Sequence, residues 1–186
     1  MTLDEALFNA EESMEKAVDF MNHEFSTIRT GKASPALVEG LDVEAYGSAM
    51  KLKQLALISA PEPRLLVIQP FDASTVRDIE RAIHESKLGI APAVDGKIIR
   101  IPIPELSEER RKDLAKTVRS LSEDARVRVR ACRREAIDAA KGLQKSGDIT
   151  EDELRTAESE IQKLTDKYVA SIDKHVAAKE AELMKI

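Results

Sequence analysis

Tryptophan is absent from this sequence, and aromatic residues of all kinds make up only 3% of it. That is thin for a compact enzyme, but ordinary for a helix bundle filled with Leu, Ile, Val and Ala. A single cysteine, Cys132, excludes a disulfide within the chain and fits a reducing compartment. No apolar run approaches the ~20 residues of a membrane span. The start, Met1 to Glu5, is acidic and lacks both the basic flank and apolar run of a secretory signal and the Arg-rich character of a transit peptide. The expectation is a cytoplasmic protein with no membrane partner.

Proline is missing from both ends. All seven prolines lie between Pro35 and Pro104, and five of the seven glycines between Gly31 and Gly96. Proline removes a backbone donor and clashes with the preceding helical turn. The chain of 186 residues therefore divides into a helical start, a punctuated middle and a long helical end.

The first helix is expected over about 2–30, opened by a Thr2/Glu5 capping box and stopped at Gly31. Leu7, Met14, Met21 and Ile28 repeat every seven residues, beside Leu3, Ala10 and Ala17. A second helix is expected over about 107–145, with Leu114, Val118, Leu121, Ala125, Val129, Cys132, Ala136, Ala139 and Leu143 as one apolar seam ending before Gly147. The third opens with a Thr150/Glu153 capping box and continues through Leu154, Ala157, Ile161, Leu164, Tyr168, Ile172 and His175. Single apolar stripes on three long helices, with a short turn at Gly147, predict an antiparallel three-helix bundle.

In the middle, segments 41–46, 65–69 and 98–103 read as strands, and Asp95-Gly96 as a hairpin turn. Between them, 72–88 has helical spacing at Val76, Ile79 and Ile83, with Asp72 or Ser74 as cap and Gly89 as stop. The predicted fold class is α+β: a bundle of 1–30 and 106–186 with a small inserted β/α/β domain, 31–105. The connections are expected near 30–35 and 102–106.

The net charge is −5, but it is unevenly spread. From Ser107 to Arg134 there are ten basic residues against five acids, a local excess of five, which leaves the remainder at −10. Lys112, Lys116, Arg119, Arg126, Arg130 and Arg133 share one helix face, predicted to lie about 200° from the apolar seam and so to point outward. From Arg126 to Arg134 there are five arginines and no acid. Arginine's planar fork suits phosphate, and a rigid helix spaces the forks in advance. On its own the stripe fits a polyanion such as RNA, an acidic protein partner, or a solvated face.

Other chemistry finds no residues. His23, His84 and His175 have no ligand-like spacing, Cys132 falls on the apolar seam, and there is no phosphate loop, Gly-rich dinucleotide turn or nucleophile elbow. The expectation is a non-enzymatic binding protein with no metal, cofactor or small-molecule substrate.

Several stretches together resemble the ribosome recycling factor family: Ile28 to Pro35, Gln54-Leu55-Ala56, Ile101 to Pro104 followed by Leu106 to Leu114, Ala125 to Arg130 with Arg133-Arg134, Gln162 to Asp166, and Lys179 to Met184. The resemblance spans essentially the whole chain. It implies an L-shaped fold and a monomer that acts after translation termination. Such a protein binds the post-termination 70S ribosome in the intersubunit space through large-subunit rRNA and works with elongation factor G and its GTP hydrolysis to split the subunits. It implies rRNA contacts at Arg29, Arg130 and Arg133, with Arg110, Arg111, Arg119 and Arg126 in a second tier, and a hinge at Thr30, Gly31, Ser34, Pro104 and Glu105. Two positions depart from the family pattern. Glu105 stands where many members have proline, and Ser48-Ala49-Met50 lacks the Thr-Pro that often follows the Tyr-Gly turn. The competing reading is a helical adaptor whose stripe meets an acidic protein.

Overall fold

A computed structural model of the chain describes residues 1–185. Its backbone contacts divide the chain into two compact units, Met1–Phe25 with Lys112–Ile186, and Ser26–Arg111.

The first unit holds three long helices. Helix α1, Leu3–Ser26, begins with the expected capping box: the Thr2 amide donates to Glu5 and the Glu5 amide to Thr2 Oγ1, at 2.8 and 3.2 Å. It stops at Ser26, several residues short of Gly31. The segment beyond Ser26 belongs to the second unit, where Arg29 is drawn to two carbonyls of that unit. Helix α4, Glu108–Ser146, runs 39 residues, and α5, Glu151–Met184, runs 34. Between them Gly147 adopts φ +82°, the Gly147 amide bonds Gln144 O and the Asp148 amide bonds Leu143 O. This 5→2 and 6→1 pair closes the orphan carbonyls of α4. The predicted Thr150/Glu153 capping box then opens α5.

Helices α4 and α5 are antiparallel and in register. Arg119 pairs with Glu180, Arg126 with Asp173 and Lys141 with Glu158, so each step along α4 matches an equal step back along α5. Ala10, Ala136 and Ile161 bring α1, α4 and α5 together in one buried cluster. At three places the buried residue is one position beyond the predicted seam: Ser122 rather than Leu121, Ala140 rather than Ala139, and Thr165 rather than Leu164. All three are small enough for close helix approach. The Ser122 and Thr165 hydroxyls bond the carbonyls of Arg119 and Ile161 on their own helices, so burial leaves neither hydroxyl unpaired.

In the second unit a four-stranded antiparallel sheet has the order β3-β4-β6-β5, made of Ala56–Glu62, Leu65–Pro70, Ile98–Pro102 and Ala93–Asp95. A separate hairpin joins β1, Asp42–Ala45, to β2, Ser48–Lys51. The short helix α2 is Leu52–Leu55, and α3 is Val76–Glu85. Leu66, Ile68, Ile99 and Ile101 on the inner sheet face and Ile79 and Ile83 of α3 are completely buried. Each contributes about 1.5–3 kcal/mol. Strands β2, β3 and β5 went unpredicted, because their residues are mostly exposed and carry no clean alternation. Segment 48–51, which lacks the Thr-Pro of the family pattern, is strand β2, turned back from β1 by Tyr46 and Gly47, both at positive φ.

Candidate RNA-binding surface

On α4, Arg119, Arg126 and Arg130 each follow a buried residue, Val118, Ala125 and Val129, by one position. One residue turns a helix by about 100°, not 200°. The arginine row therefore flanks the core line and does not point away from it. From that flank a long side chain reaches the facing helix.

The consequence is that much of the row is already paired. Arg119 Nε donates to Glu180 at 2.8 Å. Arg126 Nη2 donates to Asp173 at 2.6 Å, and its Nη1 to Glu123 and to Ser122 Oγ at 3.0 and 3.3 Å. Only 22% of the Arg126 side chain is exposed. The Asp173 bond, with that from Glu123, raises the Arg126 pKa further despite partial burial. The stretch from Arg126 to Arg134 holds no acid, but Arg126 finds its partners a turn earlier at Glu123 and across the helix pair at Asp173.

Arg130 and Arg133 differ from these. Arg130 makes one bond, from Nη1 to Glu123 at 3.3 Å, and its side chain is 54% exposed. The hydrogen bond from Arg126 comes first, and that from Arg130 adds to it, in holding the Glu123 carboxyl below its ordinary range. Arg133 lies one heptad beyond Arg126, and the α4–α5 register sets it opposite Asp166, one heptad before Asp173. Asp166 is instead engaged by the Gln162 amide at 2.8 Å. Arg133 makes no ion pair among the described residues. It is half-buried rather than outward, with Nε shielded and lacking an acceptor.

At the start of α4, Arg110 is exposed, Arg111 partly so, and Lys116 sits 3.9 Å from Asp113 in a solvated i,i+3 pair. Arg128, outside the row, lies 4.7 Å over the Phe20 ring. Cys132 is only partly buried, contrary to its expected place on the seam. It borders a cleft of about 190 Å³ with Ala6, Ala10, Ser13 and Ala136, and burial raises its thiol pKa.

In the second unit Arg29 is put to local use. Its guanidinium donates to the carbonyls of Leu88 and Pro104 at 3.4 and 3.2 Å. Desolvation, then the nearby Arg110 charge, lowers its pKa. The segments holding Thr30, Gly31 and Ser34 and holding Pro104 and Glu105 share an anchor that the sequence reading missed. The Ala33 amide bonds Pro63 O at 2.7 Å, the Ile103 amide bonds Arg64 O at 2.8 Å, and the Arg64 side chain pairs with Glu105. The two-residue turn between β3 and β4 thus grips both of these segments. Glu105, which departs from the proline of the family pattern, contributes its carboxylate to this ion pair instead.

Comparison with known proteins agrees with this architecture. The family model described as ribosome recycling factor matches residues 21–184. A ribosome-recycling factor of Akkermansia muciniphila is 61% identical over 188 residues, covering all of both chains. One from Rubrobacter xylanophilus is 52% identical over 180 residues, covering 97% of each. Among solved structures, a solution structure of the ribosome recycling factor matches with TM-score 0.79 and 44% identity, over 100% of this chain and 99% of that one. A chain from models for the T. thermophilus ribosome recycling factor and the E. coli elongation factor G bound to the E. coli post-termination complex matches with TM-score 0.70 and 43% identity, over the whole of both chains. Sequence, fold and the order of the motifs converge: the chain belongs to the ribosome recycling factor family.

Proposed function

We propose that this chain recycles ribosomes after translation termination. It binds the post-termination ribosome in the intersubunit space through large-subunit rRNA and, with elongation factor G and GTP hydrolysis by that factor, promotes subunit splitting. Full-length similarity to ribosome-recycling factors carries the reading. It is supported by the match to a chain placed with elongation factor G on a post-termination complex.

The protein's own part is binding and mechanical transmission, not catalysis, and it acts as a cytoplasmic monomer. Arg130 and Arg133 contact phosphate, since they retain donors that no acceptor among the described residues takes. Arg29, Arg110 and Arg111 add contacts outside that row. Arg119 and Arg126 hold α4 to α5 and support the surface from below. Segments 30–35 and 102–106 serve as the hinge.

The test is a subunit-splitting assay on model post-termination complexes with elongation factor G and GTP. Splitting that requires the chain supports the proposal, and none above background sinks it. Co-sedimentation with 70S ribosomes across salt concentrations separates phosphate contacts from adaptor binding. Phosphate contacts predict affinity that falls linearly on a log–log plot, by about one unit of slope per phosphate neutralised. No sedimentation at low salt would favour an adaptor for an acidic protein.

A further inference from the structure

Arg126 and Arg130 share one acid. Glu123 receives Arg126 through Oε2 at 3.0 Å and Arg130 through Oε1 at 3.3 Å. Arg126 is itself immobilised by Asp173 across the helix pair and by Ser122 beneath it. A chain of alternating charge therefore runs from α5 outward: Asp173, Arg126, Glu123, Arg130. It ends at an arginine whose Nε and Nη2 donate to no protein acceptor among the described residues.

We propose that Glu123 is a positioning residue for RNA binding: braced by Arg126, it holds the Arg130 guanidinium in place so that its unused edge meets a phosphate. This rests on the reading of Arg130 as an rRNA contact. An arginine on a helix surface samples many rotamers, and binding must select one of them. Restraint beforehand removes part of that ordering cost.

An opposing effect exists, since a carboxylate near the phosphate repels it and offsets the charge of Arg130. Both carboxylate oxygens, however, already face guanidinium groups. Their charge is neutralised at the source, and a phosphate approaching the far edge of Arg130 meets mainly the arginine. Positioning wins on this geometry, and the two effects have opposite signs in a binding experiment.

The experiment measures affinity of the full-length chain for 70S ribosomes at one moderate salt concentration. The variants are Glu123→Ala, Glu123→Gln, Arg130→Ala and the Glu123→Ala/Arg130→Ala double. Glu123→Ala is expected to weaken binding about three- to ten-fold, although it removes a negative charge. Glu123→Gln keeps one acceptor oxygen and is expected to fall between it and the parent. In the Arg130→Ala background, Glu123→Ala should have no further effect.

Unchanged or tighter binding by Glu123→Ala, with Arg130→Ala weakened, overturns positioning and leaves the Arg130 contact standing. An equal loss from Glu123→Ala with or without Arg130 means a structural role and also overturns it. Full affinity in Arg130→Ala removes the contact itself, and the proposal with it.

Discussion

Arg126 of α4 and Asp173 of α5 meet at 2.6 Å, one heptad from the parallel contact of Arg119 with Glu180. Repeating the same pair along antiparallel helices locks their register, because a slip of one residue would swing both arginines off their acids. An arginine excess that looks like a binding surface thus also serves the fold. The two roles separate by residue.

Arg126→Ala is expected to lower unfolding free energy by about 1–3 kcal/mol, since it removes the charge-assisted bonds that a mostly buried guanidinium makes to Asp173, Glu123 and Ser122 and leaves a gap where its stem packed. Arg130→Ala should change stability by no more than about 0.5 kcal/mol, because it loses one exposed pair. Urea unfolding of both checks the contrast. Equal stability losses would refute the division of roles.

Arg133→Ala should weaken ribosome binding by about 1.5–3 kcal/mol, the range for one charge-assisted contact. Its helicity and melting temperature should stay near the parent's, because Arg133 makes no ion pair among the described residues. Circular dichroism beside co-sedimentation decides it: a melting drop with intact binding would make the residue structural.

Acid should attack the start of α5 in a defined window. The Thr150 amide and hydroxyl both donate to Glu153, holding its carboxyl below the ordinary 4.5. A carboxyl depressed in the folded state gives stability that is present above its unfolded pKa and lost as pH falls through the folded value. Stability should therefore fall more steeply below pH 4.5 in the parent than in Glu153→Gln. Thermal melts at stepped pH provide the measurement, and identical slopes would contradict the assignment.

Gly147→Ala probes the α4–α5 turn. An added Cβ would meet nothing within 4 Å, so the penalty is conformational only. Holding an L-residue at φ +82° should cost about 1–2 kcal/mol, seen as a lower urea midpoint with an unchanged denaturant slope. A neutral result would mean the turn relaxes to another geometry.

How far the sequence could be read follows from where each signal resides. Both capping boxes, the Gly147 stop and the α3 spacing are local patterns, and they appear where expected. The helix seams do so except at Leu121, Ala139 and Leu164, where the next residue is the buried one, and at Cys132, which is only partly buried. Strand β3 is largely exposed along Ser59 to Glu62, so no alternation marked it. The fate of each arginine was harder, for two reasons. A phase error of one residue turned a flank into an outer face. The acids that pair Arg119 and Arg126 lie on α5, and only the packed helices bring Asp173 and Glu180 beside them. Glu105 is similar: its partner Arg64 is far along the chain, and no local rule joins them.

Surface turns are usually where a chain accepts insertions and sequence drift with little harm. Pro63-Arg64 is an exception, because three separate bonds to Ala33, Ile103 and Glu105 converge on it. Lengthening that turn by a single residue would loosen segments 30–35 and 102–106 together. It is an exposed corner of the small domain where a tag, a label or a natural insertion should be poorly tolerated.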